Sequence, residues 1–411
     1  MQSEGSPAKA AKRSVKLTIL VAALGYFVDI YDLILFLIVR VKSLKALGVA
    51  REHLLDTGVS LLNTQMIGML VGGILWGILG DKRGRLSVLF GSIFLYSAAN
   101  VANGFVDSVT EYAAMRFIAG VGLAGELGAG ITLVSEVMGR EARGYGTTVV
   151  ASVGVLGAVV AALVGDSFSW RVAYFVGGGL GFSLLLLRIG LFESGMFEQA
   201  KRKDVVRGDF VSLFTNGDRL RRYVAVIFIG VPIWFVIGIL IGLSPEIAAD
   251  MGMKPGPQAG QAVMLAYIGL SIGDLASGSL SQILRSRKKV VGVFMALSVL
   301  CMVLYFTVAP ASLVLFYACC LALGVAVGYW AVFVTVASEQ FGTNIRATAT
   351  TTVPNFVRGA VAGLTTSFTA LKGSLGVTHA AITVGAACFA VGAVSLWSLD
   401  ETYGKDLDFV E

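Results

Sequence analysis

The chain has 411 residues, 56% of them hydrophobic and only 14% charged, with 51 Gly against 7 Pro and a mean hydropathy of +0.81. A soluble domain carries about a quarter charged residues, so a chain this long and this poor in charge cannot cover itself with a polar surface; its solvent is lipid. The net charge of +6 and the pI of about 9.1 do not point to nucleic acid, because the basic residues sit in short loops between apolar runs, where they set orientation in a membrane.

The N-terminus opens on a basic stretch, Lys9, Lys12, Arg13 and Lys16, and runs straight into a long apolar segment with no small-residue cleavage site. It reads as a retained helix and not as a signal peptide. A spanning helix needs about 20 apolar residues. On that window twelve spans are expected, in the first half near 17–39, 59–79, 87–106, 112–136, 146–165 and 171–190. In the second half they fall near 223–245, 261–284, 290–309, 313–338, 348–371 and 378–399. The runs are continuously apolar, without the alternation of a lipid-facing strand, which excludes a barrel.

With the N-terminus inside, roughly 22 Lys and Arg fall on the cytoplasmic side and about 7 outside, while Arg116, Arg188 and Arg358 lie within spans. The exception to this bias is the first outer loop, where Arg40, Lys42, Lys45 and Arg51 cluster, partly offset by Glu52 and Asp56. That cluster is either an anion-steering mouth or a solvated loop. The longest loop, 191–222, is rich in charge and is expected to carry short helices on the cytoplasmic surface. It divides the chain into an N-terminal six-helix bundle (1–190) and a C-terminal bundle with a short cytoplasmic tail (223–411).

The two halves repeat each other. Ser135, Glu136, Gly139, Arg143 and Thr147 after the fourth span align with Ser338, Glu339, Gly342, Arg346 and Thr350 after the tenth at one constant offset. Gly72 and Gly77 align with Gly273 and Gly278 in the second and eighth spans. A six-plus-six repeat is a mark of transporters. The expected fold class is therefore an all-α membrane protein, with twelve transmembrane helices in two pseudo-symmetric six-helix bundles.

The loop GILGDKRGR (77–85), between the second and third spans, resembles the signature loop of the major facilitator superfamily, G-x-x-x-D-R-x-G-R-R. Gly77, Asp81, Gly84 and Arg85 match, Lys82 replaces an Arg, and Leu86 departs at the last position. The second-half copy has Gln282 for the Asp and one residue inserted before Arg287. RFIAGVGLAGE (116–126), Trp170-Arg171, ESGMF (193–197) and DETYG (400–404) are similar to the sugar porter and metabolite–proton symporter branch. The resemblance implies the major facilitator fold and alternating access. It also implies a cytoplasmic gate role for Gly77, Asp81, Arg85, Glu136, Arg143, Glu339 and Arg346; the alternative is that these charges anchor loops to headgroups. The seventh span, AVIFIGVPIWFVIGILIG (225–242), lacks the paired Gln and the Asn that sugar porters carry there, which argues against a sugar.

Ionisable residues inside spans are costly and mark functional sites. Asp29 and Asp32 in the first span are three apart and share a helix face. Two carboxylates so placed resist double ionisation, so one binds a proton easily. Sugar-porter relatives use a first-span acid and a fourth-span Arg for proton coupling, and Asp32 and Arg116 match those positions. Aromatic-acid symporters carry D-G-x-D in the first span; here both acids remain and Ile30 replaces the Gly. Asp32 is the expected exchangeable proton site, modulated by Asp29, Arg116 and Glu126; the alternative is a permanent structural salt bridge.

Asp274 in the eighth span and Arg358 in the eleventh stand where the first-half repeat has Gly73 and Val155. Arg358 is expected to hold a carboxylate through its forked guanidinium, or else to neutralise Asp274. Tyr26, Tyr31, Trp234, Tyr329, Trp330 and Asn355 are the candidate cavity wall. His53 and His379 fall in outer loops and relay no proton. Cys301, Cys319, Cys320 and Cys388 lie in apolar runs without metal-ligand or disulfide spacing, and read as buried small side chains.

The expected function is proton-coupled symport of a small organic solute, a carboxylate by preference, by a monomer in the inner (plasma) membrane with both termini cytoplasmic. The expected partners are the solute, the proton and the lipid bilayer, with no nucleic acid, no metal, no cofactor and no catalytic residues. The open alternatives are sodium coupling or uniport, a neutral sugar-like solute, an organic cation, and drug efflux.

Overall fold

The computed structural model describes residues 7–83, 85–128, 130, 143–193, 210–342 and 345–405, and among these no strand occurs. Among the described residues nine stretches are long and apolar enough to cross a membrane by length and composition. One of them, Thr348–Ser398, runs 51 residues and turns at Gly376, whose φ of 79° is left-handed and suits glycine, so it supplies two spans. The apolar helix Ser87–Asn103 and the helix Val109–Leu123, which resumes over 126–128, supply two more. With twelve spans of alternating direction among the described residues, Pro7 and Lys405 fall towards one face, called the near face below; the other is the far face.

The repeat is built into the packing. The second span packs on the fourth, and the eighth on the tenth. A Cβ on Gly72 would lie 2.3 Å from the Val121 carbonyl oxygen, and one on Gly273 would lie 2.3 Å from that of Val325. These are the glycines the sequence aligns. With no side chain they let backbones touch, the contact on which helix association in lipid depends.

Both crossing helices are broken just past that contact. The fourth span turns at Ala124–Gly125, and the tenth at Gly328–Tyr329 before resuming as Trp330–Glu339. A broken helix exposes N–H groups at its new start, and in lipid these must be satisfied by protein. Asp274 of the eighth span does so, accepting from the Ala331 N–H at 3.0 Å. Asp274→Ala is expected to lower stability by about 1–2 kcal/mol, the usual cost of a lost helix cap, while Asp274→Asn retains most of it. Thermal unfolding in detergent measures both.

Two other irregularities place the centre of the molecule. The fifth span is interrupted at Leu156, between Arg143–Val155 and Gly157–Ser167. The seventh, Gly217–Phe235, continues as a wide π turn, Val236–Ile241, every residue of which is buried. Beyond it the short helix Ser244–Asp250 lies on the far face.

On the near face the tail folds back onto the second half. Glu401 accepts hydrogen bonds from the Arg287 and Lys288 N–H groups at 2.9 and 3.2 Å and from the Ser286 hydroxyl, capping the ninth span, and Thr402 donates to Glu339 at 2.8 Å. Partial burial works against the Glu401 charge, but the donated bonds, the Ser286 hydroxyl foremost, outweigh it and hold its pKa below the usual carboxylate range. A folded-state pKa below the unfolded one means that the stabilisation is present at neutral pH and is lost as the pH falls through that range. Hydrogen exchange across a pH series is therefore expected to show 399–405 losing protection on acidification, with Glu401→Gln lacking the transition.

Candidate functional site

The spans bring seven charges to the middle of the bundle. Asp29, Asp32, Arg116, Asp274 and Arg358 have no exposed surface, and Glu126 and Arg188 are 1% and 4% exposed. Four carboxylates thus face three guanidiniums, so with all seven ionised the described site carries one excess negative charge. Burying unpaired charge is expensive, and the pairing decides what each group can do.

Arg358 donates from Nη2 to Asp29 Oδ2 at 3.3 Å, an ion pair between the eleventh span and the first, 329 residues apart. Its Nε and Nη1, and Oδ1 of Asp29, have no hydrogen-bond partner among the described residues. Three aromatic rings enclose the guanidinium: Tyr26 at 5.9 Å, and Trp234 and Trp330 at 5.7 Å each. Each ring is within cation–π range, and the two indoles meet edge-on at 6.2 Å. The three come from the first, seventh and tenth spans, so both halves build this enclosure. The alternative partner for Arg358, Asp274, is occupied instead as the helix cap described above.

Glu126 is held differently. Arg188 of the sixth span grips it with both prongs, Nη2 to Oε1 at 2.5 Å and Nη1 to Oε2 at 3.0 Å. A bidentate buried pair within one half is strong and geometrically fixed. Arg116, expected with Glu126 to modulate Asp32, donates to Asn100 at 2.8 Å and lies 4.6 Å over the Tyr174 ring. Asp32 packs against Gly177, where a Cβ would come within 2.9 Å of its Oδ1. Among the described residues neither of its oxygens is offered a hydrogen bond, and Arg116 and Asp29 are charges that act on it.

The remaining wall candidates divide. Tyr31 gives its hydroxyl to the Ala173 carbonyl at 2.9 Å and Tyr329 gives its own to Ile229 at 3.0 Å, so both staple neighbouring spans. Asn355, one turn before Arg358, donates across the halves to the Ala124 carbonyl at 2.7 Å, at the break in the fourth span. Tyr26, Trp234 and Trp330 are the aromatics that meet Arg358.

On the far face Arg40 pairs with Glu246 at 2.5 Å, Lys372 pairs with Asp56, and Thr365 meets Asn63 at 2.5 Å, each contact joining the two halves. Two of the four basic residues of the first outer loop are thus engaged: Arg40 in that pair, and Lys42 with the Gly165 carbonyl at 2.8 Å and Asp166 at 3.6 Å. Lys45 and Arg51 remain exposed. On the near face Gly77 lies against Thr352 of the eleventh span. Glu339 pairs with Arg287 at 3.4 Å, and Arg346 donates to the Ser338 and Phe341 carbonyls at 3.0 and 3.1 Å. The side chains of Asp81, Arg85 and Arg143, and the whole of Glu136, lie outside the described residues. Sequence reasoning left Arg188 without a role and missed the far-face pairs. A lone Arg at membrane depth was the available signal for the first; nothing local marks the second.

A family model described as Major Facilitator Superfamily matches residues 19–377. The niacin transporter NiaP of Acinetobacter baylyi is 39% identical over 116 residues, 27% of this chain and 26% of that one. A Cupriavidus pinatubonensis protein named "Probable 4-methylmuconolactone transporter" is 26% identical over 411 residues, covering 96% and 93%. The chain spans 35%, 26% and 48% of the length of the first curated relatives it matches. Among solved structures, the proton:xylose symporter XylE bound to 6-bromo-6-deoxy-D-glucose superimposes with a TM-score of 0.71 at 18% identity, over 97% of this chain and 98% of that chain. That likeness shows the fold.

Proposed function

The chain belongs to the major facilitator superfamily, and from that premise we propose that it moves a small ring-bearing carboxylate across the membrane by proton-coupled symport and alternating access. The observation that carries this reading is the Arg358 guanidinium with two unpartnered nitrogens inside an enclosure of Tyr26, Trp234 and Trp330. A guanidinium fork matches a carboxylate, and aromatic walls match a flat ring. Niacin and 4-methylmuconolactone, named for two relatives, both join a ring to an acid group.

The excess carboxylate among the seven buried charges supports a proton as the coupling ion, and Asp32, whose oxygens no donor satisfies, is its proposed site. Asp29 and Arg116 act on that site directly, and Glu126 more distantly, its charge held by Arg188. The near face is proposed to be cytoplasmic, in the inner membrane, with the halves divided at 191–222 and the protein working as a monomer. Gly77, Asp81, Arg85, Glu136, Arg143, Glu339 and Arg346 would then close the cytoplasmic side, and the pairs Arg40–Glu246 and Lys372–Asp56 the outer side.

A thermal-shift series on the detergent-solubilised protein tests the substrate class. Niacin, benzoate and 4-methylmuconolactone are expected to stabilise it, by about 2.7 kcal/mol at a hundred times Kd, and the neutral amides nicotinamide and benzamide are not. Stabilisation by sugars or amines with none by the acids rejects the reading.

A further inference from the structure

We infer that Asp29 occupies the place of the solute's carboxylate on Arg358 while the site is empty, and that a solute displacing it forces a proton onto the Asp29–Asp32 pair. This rests on the reading that Arg358 holds the solute's acid group. It makes Asp29 a positioning residue that links the solute site to the proton site.

The two buried Arg–carboxylate pairs of this protein differ in the way this requires. Arg188–Glu126 lies within one half and uses both prongs, at 2.5 and 3.0 Å. Arg358–Asp29 joins the two halves through one contact at 3.3 Å, leaving two guanidinium nitrogens and one carboxylate oxygen unsatisfied. A single long contact with unused donors is one that an incoming bidentate carboxylate outcompetes. The first pair is built to stay; the second is built to exchange.

Once displaced, Asp29 has no unengaged cation beside it among the described residues. The groups that face it are Asp32 and Tyr26 on its own helix, Arg358 of the eleventh span, and Glu126 of the fourth, whose charge Arg188 of the sixth already holds. Tyr267 of the eighth span and Tyr96 of the third add hydroxyls and no positive charge, and Asp274 of the eighth adds a further carboxylate. Arg116 of the fourth span acts on Asp32. Two carboxylates on one helix face in low dielectric then titrate as a unit and cannot both stay ionised. A proton from the open face enters the pair, is retained at Asp32, and leaves when the solute departs and Asp29 returns to Arg358. Binding and protonation become one event, and neither aspartate alone produces it.

Linkage makes this measurable. If one proton is taken up per solute bound, affinity falls about tenfold for each pH unit of rise above the pair's titration range. Niacin, benzoate and 4-methylmuconolactone serve as probes, their binding to purified protein followed calorimetrically across a pH series. Proton uptake is read with an indicator dye in weak buffer. The wild type is expected to show that slope and about one proton per ligand. Asp29→Asn removes the competitor and its charge, so it is expected to bind more tightly than the wild type at neutral pH, with a flat pH profile. Asp32→Asn fixes that position in its neutral form, so it is expected to bind without proton uptake, with a flat pH profile and about the affinity the wild type reaches at low pH. Two neighbouring substitutions that each abolish the pH slope while binding is retained are not what a merely structural pair produces.

A wild-type slope retained in Asp29→Asn overturns the inference, as does ligand binding to the wild type without proton uptake, which needs no variant to fold. Failure of all three acids to bind the wild type, or equal binding to Arg358→Gln, instead overturns the reading of Arg358 on which the inference stands.

Discussion

Arg358→Gln is expected to lower niacin uptake into proteoliposomes by about two orders of magnitude or more, with Arg358→Lys giving little recovery. Removing one partner of a buried, hydrogen-bonded charge pair costs about 3–5 kcal/mol, a factor of hundreds in affinity, and here the lost partner is the group proposed to hold the solute. Lys offers one compact charge in place of a planar fork and cannot lie flat against three rings. The substitution also strands Asp29, so the fold suffers together with function. The double variant Arg358→Gln/Asp29→Asn separates the two effects: its thermal stability is expected to recover while uptake does not. Uptake by Arg358→Gln within about twofold of the wild type would remove Arg358 from the mechanism.

Asp32→Asn is expected to abolish accumulation against a gradient while leaving solute exchange across the membrane. Asparagine is a permanent mimic of the protonated acid. A loaded carrier with a neutral group at this position still changes face, so counterflow of labelled against unlabelled solute continues. The proton that would make net uptake run uphill can no longer be released. An inward pH gradient therefore drives concentrative uptake in the wild type and none in the variant. Retained pH-driven accumulation in Asp32→Asn would move the coupling site elsewhere, with Glu126 the least suitable replacement because Arg188 holds both its oxygens.

The fold was legible because lipid imposes a strong constraint: every spanning segment must satisfy its own backbone and read as a long apolar helix. Composition and window length located the twelve spans, and the aligned Gly72 and Gly273 mark equivalent close crossings in the two halves. The charges at depth were legible one by one for the same reason, since each is costly wherever it sits. Their partners were not. Asp29 and Arg358 meet across 329 residues, and nothing near either position says that Asp274 is spent on a helix start in the tenth span. The break at Gly328–Tyr329 creates that demand, and a break inside a continuous apolar run leaves no hydropathy signal. Glu126 and Arg116 both read as modulators of Asp32, but packing engages Glu126 with Arg188 and Arg116 with Asn100 and Tyr174. Of the aromatics, sequence named a set, and geometry separates the three around Arg358 from the two whose hydroxyls bond carbonyls of neighbouring spans.

The two halves are proposed to rock about the enclosed site, where Arg358 and Asp29 have no exposed surface. The far-face pair Asp56–Lys372 joins the halves at a partly exposed position, and the four native cysteines are buried. Asp56→Cys/Lys372→Cys, bridged by a short bifunctional thiol reagent, locks that face. Locked protein in vesicles is expected to lose transport and exchange together, and a cleavable bridge is expected to restore both on reduction. Transport that continues at the unlocked rate with the bridge in place would contradict the account.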